Sequence, residues 1–182
     1  MVPKTMTVLR DLSPLSSTAA VLPKYMLRFS VAGIPWIEPS AAAVERCFDQ
    51  QVHGVLYELT QEDFERVGST EGVPFGYQWQ SCQVYPYVGD DSRTAGEEAL
   101  RTAASSVSAY TLVATFPTKT DIPPAKAYRD LLIEGAKLWK LDDNYVQKLE
   151  AMPFASNLLF KDGLAKALLD GAELRKALTS KR

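Results

Sequence analysis

A chain of 182 residues, 46% apolar and 23% charged, suits one compact domain with a sizeable core and excludes disorder along its whole length. Its formal net charge of −2 leaves no basic footprint of the kind a nucleic-acid partner requires. Two cysteines, Cys47 and Cys82, make neither a disulfide framework nor a metal site, and the single histidine, His53, excludes a His-rich metal centre.

Residues 1–24 are mixed, with a turn at Ser13-Pro14 and a stop at Pro23. YMLRFSVA (25–32) reads as a strand broken by Gly33, Pro35 and Pro39, with Arg28 pointing to solvent. Residues 40–46 fit a helical turn or another extended piece. VHGVLYEL (52–59) is nearly continuous in apolar residues, so it is expected to be a central strand covered on both faces.

Thr60 followed by Asp63 gives a capping-box-like start to a short helix with Phe64 and Val67 facing inward. Gly68–Gly76 reads as a glycine-rich loop. Residues 77–87 alternate with period two and form a strand; 89–106 form an exposed loop with a helical turn at 97–104; 107–116 form another strand.

From Pro123 the apolar period becomes helical. Helices are expected over 125–138, 142–152 and 162–178, and the basic cluster 176–182 suits a helix C-terminus. Strands first and helices after argue for an α+β domain: a small mixed body, curved or closed into a barrel, with flanking and C-terminal helices.

No run approaches the length of a membrane-spanning helix, and the opening MVPKTMTVLRDLSP lacks a signal pattern. Reduced thiols suit an intracellular, reducing compartment such as the cytoplasm or an organelle interior.

The block VHGVLYELTQEDFERVGSTEG (52–72) resembles the signature of gamma-glutamylcyclotransferase-like (AIG2-like) proteins: a V-x-G-V-L-Y strand, a short helix, then an acidic residue and glycine, here Glu71-Gly72. Ser108–Leu112, the helix carrying Pro124, Tyr128 and Gly135-Ala136, and Tyr145 after Leu141 follow in the family's order, over about residues 21–153. The resemblance implies a mixed barrel over 1–153 with a helical extension, 154–182. It implies a reaction without metal or organic cofactor, in which the α-amine of a small gamma-glutamyl substrate attacks its own γ-carbonyl. The products are 5-oxoproline and a released amine, chemistry that belongs with glutathione metabolism.

By residue type alone Glu71 is a solvated loop carboxylate; the resemblance makes it the general acid/base, which partial burial would suit. It places Gly72, Tyr77, Tyr128 and Trp36 around the substrate. The family's N-terminal strand and Y-G-S-N turn have no counterpart here, and Met1–Ser13 looks like the segment that follows them. That departure leaves two readings: the domain is N-terminally incomplete here and active where the turn exists, or the site is lost and the protein is an inactive domain of the same fold serving as a structural or interaction subunit, with a partner protein covering the missing strand.

Overall fold

Residues 6–7, 10–88, 93–102, 105–156 and 171 are described by a computed structural model. In chain order the elements are β1 (Ser16–Ile34), β2 (Glu38–Glu58), α1 (Gln61–Thr70), β3 (Tyr77–Pro86), α2 (Ala95–Thr102), β4 (Val107–Ala114), α3 (Lys126–Leu138) and α4 (Asp143–Glu150). The expected helix over 162–178 lies outside the described residues except for Gly171, which is helical.

The described strands form one antiparallel sheet in the order β2-β1-β3-β4. β1 and β2 make a long hairpin, paired from Ser16 opposite Glu58 to Ile34 opposite Glu38. β3 and β4 pair along their length, from Tyr77 opposite Ala114 to Val84 opposite Val107. The two pairs meet only at one corner, where Ala20 and Val21 face Pro86 and Tyr85. Away from that corner they part around a cavity of about 710 Å³, lined by residues that include Leu22, Val52, Leu56, Cys82, Val84 and Ala109. The α+β class and the curved body stand.

Several expected boundaries move. The strand read at 25–32 is the middle of β1, which passes through Pro23. The register shifts between Pro23 and Tyr25, with Lys24 at φ 64°. A bulge there removes the proline, which has no N–H to give, from the ladder. Residues 40–46 are extended and continuous with 52–59 in β2.

β2 is an edge strand, not a central one. Its apolar run is still used on two sides: Val52 packs against the cavity cluster of Leu22, Tyr25, Cys82 and Val84, and also against the helical cluster of Ala136, Leu141, Tyr145 and Leu149. Arg28 does not reach for bulk solvent. It is 14% exposed and paired with Glu45 (2.6 Å) and Asp121 (2.8 Å), which fastens β1 to β2 and to the chain after β4.

α3 and α4 begin where the helical period begins. Ala136, Leu141 and Leu149 are almost wholly buried on Ala19 and Leu27 of β1. Each of these leucines contributes about 1.5–3 kcal/mol by leaving water. Ala155 donates its N–H to Pro124 O (2.8 Å), tying the chain after α4 to the start of α3.

Candidate functional site

α1 forms because both ends are specified locally. Thr60 Oγ1 accepts the Asp63 N–H (3.1 Å), and Glu62 and Asp63 suit the positive end of the helix dipole. Part of the expected loop, Gly68–Thr70, belongs to this helix. Gly68 lies under the Trp79 indole, so absence of a side chain serves packing there.

The helix stops at Glu71-Gly72. Gly72 has φ +71°, its N–H donates to Ser69 O (3.2 Å), and the Val73 N–H donates to Gly68 O (2.9 Å). This is a Schellman turn, and its left-handed position is why glycine follows the glutamate. Gly72 therefore aims Glu71 through the backbone.

A carboxylate at this end meets the negative pole of the dipole, so Glu71 gains nothing from the helix it closes. Its compensation comes from Arg10, whose Nη2 contacts Glu71 Oε1; each side chain is 23% exposed. The strap that carries Arg10 lies along α1. Leu12, 2% exposed, packs with Met6 and Val67, and Ser13 N donates to Asp63 Oδ2 (3.1 Å).

Tyr77 and Tyr128 converge beside Glu71 from β3 and α3. Tyr77 Oη donates to Ala42 O (2.9 Å), and Tyr128 Oη accepts the Ala42 N–H (3.3 Å). Ala42 is on the β2 edge strand and is left out of its register with β1, so the two phenols satisfy a backbone pair that no described strand takes. Burial raises both phenol pKa values, and the Glu71 charge pushes in the same direction. The Tyr128 proton has no acceptor among the described contacts, so it remains available as a donor.

Two neighbours were not legible in the sequence. Glu38, at the start of β2, accepts the Ala125 N–H on Oε1 (3.0 Å), while its buried Oε2 has no partner among the described residues. Burial raises its carboxyl pKa despite that bond, and its charge also acts on Tyr128. Tyr57 Oη is likewise buried and unpartnered among the described residues; burial raises this phenol, and the nearby Arg10 charge opposes the rise. Tyr57 closes the V-x-G-V-L-Y strand, but that pattern did not mark it as a site residue, and nothing marked Glu38. Trp36 occupies the tip between β1 and β2, 65% exposed, and no described contact joins it to Glu71.

His53 belongs to a separate buried network. Gln51 Nε2 lies 3.0 Å from His53 Nε2 and acts as donor, which assigns the ring proton to Nδ1, facing Tyr87 Oη. The same phenol oxygen accepts the Asp142 N–H (3.1 Å). Asp142 does not cap its own helix; its carboxylate accepts the N–H groups of Gly96 (2.8 Å) and Glu97 (3.1 Å) in α2. The imidazole stacks on Tyr145, 4.7 Å between centroids. This network locks α2, α4 and β2 together, as expected for a structural histidine.

The AIG2-like family model matches residues 51–149, more than half of the chain, and the match spans the last eight residues of β2, α1, Glu71 and both tyrosines. The chain belongs to the AIG2-like family. A gamma-glutamyl cyclotransferase of Claviceps purpurea (strain 20.1) is 35% identical over 75 residues, 38% of this chain and 34% of that protein. One of Aspergillus oryzae is 22% identical over 153 residues, 77% of this chain and 53% of that protein. The chain thus spans between a third and about half the length of these two relatives.

Among solved structures, an uncharacterized human protein superposes with a TM-score of 0.69 at 18% identity, covering 94% of this chain and 91% of that one. A gamma-glutamyl cyclotransferase superposes at 0.67 and 15% identity, covering 93% and 94%. At these identities the likeness is one of fold. No helix among the described residues is long and apolar enough to cross a membrane. No group of three or more His, Cys, Asp or Glu among them could hold a metal.

Proposed function

We propose that this AIG2-like chain cyclises a small gamma-glutamyl amine to 5-oxoproline and releases the amine, with Glu71 as general acid/base. One observation carries the reading. Glu71 is a partly covered carboxylate that its helix does not reward, in the electrostatic reach of Tyr77 and Tyr128, which come from elements far apart in sequence. The curated relatives that the chain matches bear the name of this activity.

Glu71 takes a proton from the substrate α-ammonium, and the freed amine attacks the γ-carbonyl. A nitrogen–carbon bond closes the five-membered ring, the γ-amide bond breaks, and Glu71 relays the two protons shed by the attacking nitrogen, one before and one after attack, to the leaving nitrogen, which departs as an ammonium. The Tyr128 O–H, its oxygen already held by the Ala42 N–H, donates to the oxyanion that develops at the γ-carbonyl. Tyr77 holds the adjacent edge of β2, and Gly72 fixes where Glu71 points. The chemistry calls for no metal or organic cofactor. The free thiols Cys47 and Cys82 suit a reducing compartment.

The test is release of 5-oxoproline from a panel of gamma-glutamyl amines. Glu71→Gln removes the base and is expected to lower kcat by about 10²–10⁴-fold. Undiminished turnover in that variant would refute the role given to Glu71.

The apolar cavity between the β2 and β4 edges favours a second reading, the same fold acting as an interaction subunit. Purification from the native source as a monomer, with full turnover, would count against it.

A further inference from the structure

We propose that Arg10, assisted by Tyr57, is the seat for the α-carboxylate of the substrate, so that Arg10 and Glu71 together recognise a zwitterionic α-amino-acid headgroup. The inference rests on the reading of Glu71 as the residue that meets the α-ammonium, and it adds the opposite half of the site.

An α-amino-acid head carries an ammonium and a carboxylate on one carbon. A site for it needs a fixed anion and a fixed cation side by side. Unliganded, two such groups neutralise each other; when the zwitterion enters, each exchanges its protein partner for a substrate partner. Arg10 and Glu71 have this arrangement, in contact and each about three quarters covered. A plain amine would meet Glu71 only by displacing the guanidinium into a site where it gains nothing in return.

The strap makes the exchange possible without losing the guanidinium to solvent. An ordinary surface pair holds two long side chains only loosely. Here the backbone beside Arg10 is fixed by several other contacts. Leu12 is buried on Val67, the Ser13 N–H is on Asp63, and Arg66 Nη1 donates to Asp11 O (3.0 Å). Asp11 takes up the left-handed turn at φ 53°. Opening the pair with Glu71 therefore leaves Arg10 anchored at the site.

The donor inventory selects a carboxylate as the second ligand group. A guanidinium has five N–H donors in a fork that matches a carboxylate. One nitrogen of Arg10 contacts Glu71 and another Met6 Sδ at 3.5 Å, a weak acceptor. Tyr57 Oη, buried and in electrostatic reach of Arg10, has no partner for its O–H among the described residues. A guanidinium with a buried, unpartnered phenol in its electrostatic reach suits an anion with two acceptor oxygens better than a second cation.

The experiment measures binding with a non-cleavable gamma-glutamyl analogue, in which a methylene replaces the scissile nitrogen. It is offered as the free α-carboxylate and as the α-carboxamide. Calorimetry on the full chain should give the carboxylate about 10- to 100-fold tighter binding, the range of a charged hydrogen-bonded contact. Arg10→Met should lower the affinity for the carboxylate to that for the carboxamide. Arg10→Lys should keep part of the preference, and Tyr57→Phe should lose a few-fold.

The proposal is overturned if the wild type binds neither analogue or does not discriminate between them. It is equally overturned if Arg10→Met keeps the preference, or if that variant binds more tightly, which would make Arg10 a plug. Release of 5-oxoproline from a cleavable substrate is measured alongside. A preference that depends on Arg10 without any turnover would sink the cyclotransferase reading and leave the carboxylate seat standing.

Discussion

Acidification offers a direct test of the His53 network. Burial drives the imidazole pKa from the ordinary 6.5 down to about 4; the Asp142 carboxylate, 3.8 Å away, opposes that fall without overcoming it, and Lys148 reinforces it. In the unfolded chain His53 takes its proton near pH 6.5, in the native chain only near pH 4. Between these values the unfolded state binds more protons, so stability falls as the pH falls, and the loss is complete below the folded value.

Carried through the linkage relation, the loss is on the order of 2–3 kcal/mol by pH 4.5, accumulating most steeply between the two pKa values. That is a large share of the roughly 5–15 kcal/mol that holds a domain folded. Urea unfolding of the wild type and of His53→Gln, from pH 7.5 to pH 4.5, isolates the effect. His53→Gln starts from lower stability because the Tyr87 and Tyr145 contacts are altered, but its curve lacks the His53 slope. Parallel curves for the two proteins would refute the argument.

The same chemical change at two helical glycines should have opposite signs. At Gly96 an added Cβ would lie 2.7 Å from His53 Cε1 and 2.8 Å from Tyr87 Cε1, rings held on every side, so Gly96→Ala should cost about 1–3 kcal/mol in urea unfolding. At Gly68 the nearest atom is the Trp79 Nε1 at 3.4 Å, and Gly68→Ala should be neutral or gain up to about 1 kcal/mol of helix propensity. For the strap, Leu12→Ala should remove about 2–5 kcal/mol of local packing and speed hydrogen exchange of the Ser13 amide, which Asp63 now holds. An unchanged exchange rate would show that Leu12 does not anchor the segment.

Local signals in the sequence were reliable where one element's own residues decide its form. The Thr60 cap, the alternation of β3 and the apolar stripes of α3 and α4 each depend on neighbours a few positions away, whereas the stop of α1 falls three residues later than the expected loop start at Gly68. The curvature of the body followed from strands preceding helices. Misreadings occurred where a distant partner decides. Arg28 looked solvent-facing because Asp121, which holds it, lies 93 positions on. The run at 52–59 looked central because edge position leaves no local mark, and the cluster built from α3 and α4 covers one of its faces as a packed layer covers a central strand. Pro23 looked like a strand end because a bulge is a property of the pairing, not of the residue.

The candidate site divides the same way. Glu71 and Gly72 were legible from the motif, and Tyr77 and Tyr128 from the family order. Arg10 and Tyr57 were not, because the contact of Arg10 with Glu71 spans 61 positions and exists only once the strap lies along α1. A helix C-terminus tolerates almost any uncharged or basic residue, yet this one carries a carboxylate against its own dipole. Structure alone would be served by a glutamine at this position, which keeps the shape without the charge. The guanidinium drawn from the far side of the strap then offsets a charge that the fold did not need, and a buried phenol with no partner among the described residues lies in its electrostatic reach. A carboxylate set against its helix dipole, the guanidinium that offsets it and an unpartnered buried phenol within reach of that guanidinium are accounted for together by a ligand that satisfies all three.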